Sequence, residues 1–572
     1  MAKRDYQNWD RNELIDEIEA LRRRKKYGLV WEDKPEDVVE QCKKELPVLE
    51  EVKSKEILID KDKPSNILIE GDNYHALSVL NYTHKNKIDV IYIDPPYNTG
   101  ARDWKYNNDY VDINDTFRHS KWIAMMAKRI KLAKNLLKPD GVLIVTIDDN
   151  ELCSLGLLLD EVFPNKIRTT VVIKYNPAGT ARSGFSRCHE YAIYLLNPGQ
   201  EINKKSAPVD IRSRNLRRNG NNSNREDSPS MFYPIFIDKK TLKVIGAGDV
   251  PKPETNIDKQ IIEHKDFYEV WPLDDRNKEK NWYYSKKRVI EKGGLELECK
   301  WVKEKLNPYF STSNNSEQKY QTVWTGSEYD AGAYGSNLVK KLIDTQFPFP
   351  KSLYAVQDCI RAVIKRNDAI VLDFFAGSGT TGHAVMNLNK EDNGNRKFIL
   401  CTNNEINGQE KALRDRGLSE NEIFEHGICR AVTYPRIKAV IKGNEDTEAI
   451  PTNLKYFKTT FVPAGPTDKN RVTLTKKASE MLCVKEDTFE EVTSTDKFKI
   501  FKNNKKYTGI IFDHLAIDEF KKEIVSISGK FSVYIFSLGD DTFDEEFDDI
   551  KRKVKLSPIP EAILRVYRRI FK

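Results

Sequence analysis

The chain has 572 residues, 39% hydrophobic and 32% charged, with 94 Lys and Arg against 87 Asp and Glu for a formal charge of +7. That length predicts about four structural units rather than one small module, and the charge is too mild for a scaffold coated in basic residues, so any polyanion site is local. With no run near the ~20 apolar residues of a membrane span, no apolar signal core at the start, and eight cysteines without a C-x-x-C pair, the expectation is a cytoplasmic, membrane-free protein with no disulfide frame and no indicated metal site.

Asp10 and Glu13 read as a capping box ahead of Leu14, Ile18 and Leu21 on one helical face, a short arm within residues 1–60. From about Ile67, short β-rich apolar runs alternate with helical patterns, the form of a parallel α/β sheet. Ile67–Glu70, Ile88–Ile93 and Val142–Ile147 are strands, and Trp122–Leu137 is a helix stopped by Pro139-Asp140-Gly141. After Asn197 the pattern breaks down, most clearly at Ile211–Ser230, which predicts a folded but irregular insertion over 200–345. Strand texture returns at Ala369–Phe374 and Phe398–Cys401, so the sheet is assembled from two pieces, 61–199 and 346–441. Thr508–Phe512, Ile517–Ile527 and Phe531–Phe536 then read strand, helix, strand, a small α/β unit within 442–572 that ends in an acidic stretch, Asp540–Asp549, and a basic amphipathic segment, Ile563–Lys572.

Two loops carry chemistry. Asp94-Pro95-Pro96-Tyr97 follows the apolar run Asp89–Ile93, at the carboxyl end of a strand, where parallel sheets bind ligands. The prolines fix φ and remove two donors, leaving a carboxylate, a free carbonyl and an aromatic ring in one rigid corner. That corner suits a planar base with an exocyclic amine: Asp94 and the Pro95 carbonyl accept the two amine hydrogens while Tyr97 stacks. The second loop, Phe375-Ala376-Gly377-Ser378-Gly379-Thr380-Thr381-Gly382, follows Ala369–Phe374 and opens a helix. It fits G-x-G-x-x-G, a pattern that dinucleotide dehydrogenases also use, and His383 replaces the lysine of a P-loop. Glu405, 23 residues past Gly382, stands near the place of a ribose-binding carboxylate, so the loop indicates a nucleoside cofactor and leaves its identity open. Together the loops imply group transfer from cofactor to amine.

These residues resemble the DNA amino-methyltransferases that use S-adenosylmethionine, and the order of the motifs, catalytic first and cofactor second around a long insertion, looks like their β class. Lys25–Trp31, Gly71-Asp72-Asn73, Asp94–Gly100, Ile147–Glu151, Phe232–Ile235, Phe347-Pro348-Phe349-Pro350-Lys351 and Asn453–Phe457 look like the modification subunits of type III restriction-modification systems, a likeness covering most of residues 20–460. The resemblance implies a Rossmann-like α/β sheet in circularly permuted order with an inserted target recognition domain. It also implies methylation of adenine N6 in duplex DNA, a homodimer, and a separate restriction subunit with helicase and nuclease activities. By the same analogy Asp94, Pro95, Pro96 and Tyr97 are catalytic. Asp72, Lys351, Asp373, Phe375, Ala376, Gly377, Ser378, Gly379, Thr380 and Glu405 hold S-adenosylmethionine, with the register of Glu405 blurred by Asn403 and Asn404 just before it.

Arg212, Arg214, Arg217, Arg218 and Arg225, among several asparagines, have the chemistry to contact phosphates and base edges of DNA. Cytosine N4, RNA or protein as acceptor stays open. A nicotinamide oxidoreductase would explain only the glycine loop, and a non-enzymatic DNA-binding protein only the basic insertion. Glu298-Cys299-Lys300, with Asp274 and Asp275 upstream, matches half of a nuclease motif, a pattern short enough to arise by chance, and Asn307-Pro308-Tyr309-Phe310 reads as a turn.

Overall fold

A computed structural model describes residues 10, 11, 14, 15 and 34–571 apart from 108, 181–183, 206–209, 315–317, 344, 346, 407–409 and 446. The helix expected after Asp10 and the Lys25–Trp31 segment lie outside the described residues except at four positions, whereas 34–60, also assigned to the helical arm, hold a helix, Asp37–Lys44, and a strand, Glu45–Glu51, that joins the main sheet. The chain forms two compact units, one from 1–203 with 320–572 and the other from 204–319. Among the described residues no helix is long and apolar enough to cross a membrane.

The first unit is built on a ten-stranded sheet. In chain order its strands are β1 (Glu45–Glu51), β2 (Ser65–Glu70), β3 (Ile88–Ile93), β4 (Leu137–Ile147), β5 (Ile167–Ile173), β6 (Glu190–Leu196), β7 (Val323–Trp324), β8 (Ile370–Asp373), β9 (Lys397–Thr402) and β10 (Asn453–Pro463). Their spatial order is β1-β10-β2-β9-β8-β3-β4-β6-β5-β7. From β10 to β4 every neighbouring pair is parallel, whereas β1 and β6 run against their neighbours. β8 lies beside β3 although the whole insertion separates them in sequence, with Val371 opposite Val90 and Leu372 opposite Ile91. The Asp89 carboxylate pins this junction at its amino end, accepting from the Ile370 N–H at 2.9 Å and from Lys138 Nζ at 2.7 Å.

Strands covered on both faces read as continuous apolar runs, and side chains of alternate residues feed two separate cores. Ile91, Ile93, Leu143, Val145, Leu372 and Ile399 point to one face, beneath helices α1 (Asn73–Thr83) and α2 (Arg118–Lys134). Val90, Tyr92, Val142, Ile144, Val371 and Leu400 point to the other, beneath α3 (Leu353–Arg361), α4 (Thr380–Asp392) and α5 (Tyr434–Lys442).

Two local expectations are corrected. The helix read as Trp122–Leu137 runs Arg118–Lys134, and Pro139-Asp140-Gly141, read as its stop, lies inside β4. Pairing with β3 jumps there from Ile88–Leu137 to Val90–Val142, so the turn residues are accommodated as an irregularity in the ladder. A Cβ on Gly141 would stand 2.9 Å from the Ile88 carbonyl oxygen, so only glycine permits this approach. Asn307–Phe310, read as a turn, lies within the strand Lys305–Asn314, where antiparallel partners on both sides override the local signal of Asn-Pro.

The second unit is β-rich rather than irregular. Asp210–Asn215, Lys305–Asn314 and Leu297–Val302 form one sheet, and Val244–Ala247, Ile235–Asp238, Phe267–Val270 and Ile261–Glu263 another. Tyr233, Ile235, Trp282, Val289 and Leu306 share its core. After β10, a five-stranded sheet carries the predicted strand, helix, strand as Tyr507–Ile511, Ile517–Val525 and Phe531–Phe536. The terminal helix Glu561–Ile570 docks by burying Tyr567, whose hydroxyl donates to the Pro47 carbonyl at 2.5 Å.

Trp282 is fully buried and its indole N–H donates to the Tyr233 carbonyl at 2.7 Å. Trp282→Ala is expected to cost the second unit about 3–5 kcal/mol. Hydrogen exchange should show lost protection within 204–319 and unchanged protection in β3 and β8; a uniform loss across both units would contradict their separate cooperativity.

Candidate active site

Because β3, β8, β9 and β2 are parallel neighbours, their carboxyl ends open on one edge, and each ends at a residue singled out by the sequence. β3 delivers Asp94, Pro95, Pro96 and Tyr97. Asp94 Oδ1 accepts from Thr146 Oγ1 of β4 at 2.7 Å and lies 3.2 Å from Lys351 Nζ. Lys351 Nζ also donates to Glu190 Oε2 at 2.7 Å and to the Tyr97 hydroxyl, and the Tyr97 hydroxyl donates to Glu190 Oε2 at 2.9 Å. The fully buried Trp122 of α2 donates to the Pro96 carbonyl at 2.7 Å, while among the described residues nothing donates to the Pro95 carbonyl. Two prolines thus present two carbonyls, one used to fix the loop and one left available. Asn98, at φ +56 and buried, closes the loop by donating to Glu151 at 2.5 Å and accepting from the Trp104 indole at 3.1 Å.

Two carboxyl groups here face one ammonium. Burial opposes the charge on Lys351, but Asp94 and Glu190 outweigh it and raise the ammonium's pKa. Burial raises the Glu190 carboxyl above the usual carboxylate range, with Lys351 opposing and Asp94 adding to the shift. The corner therefore holds a fixed cation and a surplus of acidic groups.

β8 delivers the glycine loop. The Asp373 carboxylate folds it back, accepting from the Phe375 N–H at 2.9 Å and the Thr381 hydroxyl at 2.5 Å. Gly377 at φ +48 and Gly379 at φ +78 make the left-handed turns into α4. The loop rests on α5 and the residue before it: Thr433 Oγ1 donates to the Gly377 carbonyl at 2.6 Å, and Arg436 donates to Ser378 Oγ at 3.0 Å and Thr380 Oγ1 at 2.8 Å. Phe347 lies over Gly377, its Cζ 3.4 Å from where a Cβ would stand. The segment Phe347–Lys351 therefore serves both loops, placing a ring on the glycine loop and an ammonium on Asp94.

β2 and β9 complete the edge. Asp72 caps α1, accepting from the Tyr74 N–H at 2.7 Å, and stands 3.5 Å from the Arg129 guanidinium. Glu405 is accessible, yet desolvation raises its pKa, with Lys105 opposing and Asp72 adding to the shift. Ribose hydroxyls need an acceptor such as Glu405, an adenine amine one such as Asp72, a flat base an apolar wall such as Phe375, and an amino-acid carboxylate loop N–H donors. The residues present fit an adenosyl amino acid.

The family model for DNA methylases (N6_N4_Mtase) matches residues 88–407, more than half of the chain. The chain belongs to the DNA methylase family. The match runs from the first residue of β3 to just past Glu405 and so contains both loops and Lys351. This methylase is 30% identical over 430 residues to the type III restriction-modification enzyme EcoPI Mod subunit of Escherichia phage P1, a match covering 67% of this chain and 63% of that protein. It is 30% identical over 358 residues to the type II methyltransferase M.KpnI of Klebsiella pneumoniae, covering 60% and 82% respectively. To the EcoP15I Mod subunit of Escherichia coli it is 27% identical over 441 residues, covering 67% and 64%. The methylase thus spans less than two thirds of the length of either Mod subunit.

Within the second unit of this methylase, the five arginines divide. Arg225 pairs with Glu279 at 3.1 Å and donates to the carbonyls of Thr255 and Lys252, each at 2.7 Å. Arg217 donates to the Leu273 carbonyl, and Arg218 lies over the Tyr283 ring. These three knit the unit together, Arg214 is exposed, and Arg212 falls on the strand Asp210–Asn215. Glu298 and Lys300 pair with each other at 3.0 Å on a strand surface, and among the described residues no group of three His, Cys, Asp or Glu stands ready for a metal.

The sequence reading missed Thr146, Glu190, Trp122, Thr433 and Arg436. None lies in a motif loop; each reaches the edge only through the tertiary fold, although Glu190, an acid opening an apolar strand, is a visible anomaly of the His189-Glu190-Tyr191 run.

Burial pushes the Asp373 carboxyl up to about 7, against the opposing hydrogen bonds from Thr381 and Phe375. Its folded-state pKa stands above the unfolded value, so this contribution to stability is complete below pH 3.8 and is lost as pH rises toward about 7. Asp373→Asn keeps an acceptor for the Phe375 N–H and removes the titration. The stability lost between about pH 4 and 7 in thermal melts should flatten in the variant; an identical slope in both proteins would remove Asp373 as its source.

Proposed function

We propose that this methylase transfers a methyl group from S-adenosylmethionine to the N6 amine of adenine in duplex DNA. The observation that carries the reading is the Asp94 corner: a carboxylate, fixed by Thr146 and Lys351, beside a free proline carbonyl on the same edge as the glycine loop. The bound cofactor supplies an electrophilic methyl on a positively charged sulfur. Asp72, Glu405 and Phe375 would hold its nucleoside, and the loop from Asp373 through Ala376, Gly377, Ser378 and Gly379 to Thr380 its amino-acid end.

The chain's own residues prepare the acceptor. A base inside a duplex cannot reach the edge, so the adenine is flipped out, at a cost of a few kcal/mol. Asp94 and the Pro95 carbonyl accept its two amine hydrogens, which favours a pyramidal nitrogen whose lone pair is no longer shared with the ring. Tyr97, its hydroxyl held by Lys351 and Glu190, offers a ring face in fixed orientation for stacking. No base is needed before attack, because the amine proton becomes acidic only as the nitrogen gains positive charge. The acid-rich corner stabilises that charge as it forms, and Lys351 keeps Asp94 in place. In this reading Lys351 acts at the acceptor corner rather than on the cofactor, and Glu190 acts through Lys351 and Tyr97.

Adenine rather than cytosine as the base, and a second copy of this chain and a separate restriction subunit as partners, follow from the likeness to the type III modification subunits, as does DNA recognition by residues 200–345. Arg214 and Arg212 are the phosphate or base contacts in that segment. Arg217, Arg218 and Arg225 support them structurally.

Incubation of the purified chain with labelled S-adenosylmethionine and unmethylated genomic DNA, followed by nucleoside analysis, tests the reading. N6-methyladenine is the expected product. Asp94→Ala should lower transfer by roughly a thousandfold or more while cofactor affinity stays within about threefold, since the glycine loop is untouched. Tyr97→Phe keeps the ring but loses the held hydroxyl, a loss of roughly tenfold in kcat, whereas Tyr97→Ala should lose roughly 100-fold. Label in N4-methylcytosine, or near-normal turnover of Asp94→Ala, would reject the adenine assignment or the role of Asp94 respectively.

A further inference from the structure

Behind the glycine loop stands a charge that the proposed chemistry has not used. Arg436 of α5 is 0% exposed, and among the described residues no carboxylate pairs with it. Its Nη1 donates to Ser378 Oγ at 3.0 Å, Thr380 Oγ1 at 2.8 Å and the Ser378 carbonyl at 3.3 Å, while Nε and Nη2 are buried without a partner. The nearby titratable group, His383, is itself buried and held neutral by burial and by Arg436. Burial lowers the guanidinium's pKa to about 9. An interior cation with no counter-charge is costly, and removal of water makes its field strong.

The hydrogen bonds show where that field is directed. Arg436 donates to both hydroxyl oxygens, which stand 3.1 Å apart. One hydroxyl hydrogen can span that gap, so the other is turned away from the guanidinium. Among the described residues the N–H groups of Gly377 and Ser378 meet no acceptor. Both lie just before the N-terminus of the 13-residue helix α4, where backbone donors and the helix dipole favour an anion. Four features, a buried cation, a polarised hydroxyl pair, free backbone donors and a helix N-terminus, therefore converge on one loop, whose own carboxylate, Asp373, is engaged by the Phe375 N–H and the Thr381 hydroxyl.

We infer that Arg436 is a positioning residue that supplies the counter-charge for the carboxylate at the amino-acid end of the cofactor, acting through Ser378 and Thr380 without touching it. The inference rests on the cofactor reading above. It predicts selectivity: a ligand with the carboxylate is preferred over one that differs only in lacking it.

Calorimetric titration of the full chain with S-adenosylhomocysteine and with its decarboxylated analogue tests this without turnover. The wild type should prefer S-adenosylhomocysteine by roughly 10- to 100-fold. Arg436→Met should bring the ratio to within about threefold by weakening S-adenosylhomocysteine alone, and Arg436→Lys, which keeps the charge but not the planar fork, should retain part of the preference. Equal affinities in the wild type would overturn the inference while leaving the cofactor reading intact, and this arm needs no variant to fold. Arg436→Met weakening both ligands alike would also overturn it, assigning Arg436 to loop support only. If neither ligand binds the wild type, the cofactor reading falls and the inference with it.

Discussion

The parallel alignment of β8 with β3 is the constraint on which the site depends. These strands come from the two pieces of chain on either side of the insertion, and their register, Val371 opposite Val90 and Leu372 opposite Ile91, fixes how far each loop projects beyond the sheet. A slip of one residue would exchange the faces of every side chain on β8, sending Val371 and Leu372 to the wrong cores and turning Asp373 away from Thr381. Asp89 opposes such a slip by holding the Ile370 N–H and Lys138 at once. A parallel pair needs cover on both faces, and the helices that give it also tune the site. α2 brings Trp122 under Pro96, and α5 brings Arg436 under the glycine loop.

Charge at this edge is sorted rather than neutralised. The Asp94 corner has two carboxyl groups against one ammonium, and burial pushes Glu190 toward the protonated state. Behind the glycine loop lies a cation that no acid among the described residues pairs with. In an interior of low dielectric such imbalances are expensive, yet they suit a ligand that brings a positive sulfonium to one end of the site and a carboxylate to the other. Folding stability is set against complementarity to the bound state, which is the usual origin of perturbed groups in a functional cleft.

What was legible in the sequence was what is local. Asp94–Tyr97 and Phe375–Thr380 each stand directly after a buried strand, so the apolar run before each loop is enough to place it at a strand's carboxyl end. The strand texture of the C-terminal unit was legible for the same reason. The partners were not. Lys351 belongs to a segment that touches the glycine loop through Phe347, and its own ammonium, four residues further on, stands 3.2 Å from Asp94, a contact no local pattern announces. Arg217 and Arg225 looked like DNA contacts because a basic, asparagine-rich stretch has the same composition whether its guanidinium groups face solvent or cap the carbonyls of their own fold. The strand at Asn307–Phe310 was hidden because Asn-Pro signals a turn only when no neighbouring strand competes for the backbone.

The segment Phe347–Lys351 shows how one short stretch couples two chemistries. Its prolines limit backbone freedom, and the chain bends between them at Phe349, φ +55. With Phe347 seated on Gly377, Lys351 reaches Asp94, Glu190 and the Tyr97 hydroxyl together. Two motifs far apart in sequence thus come to one edge through the sheet that aligns them, and one short segment touches both.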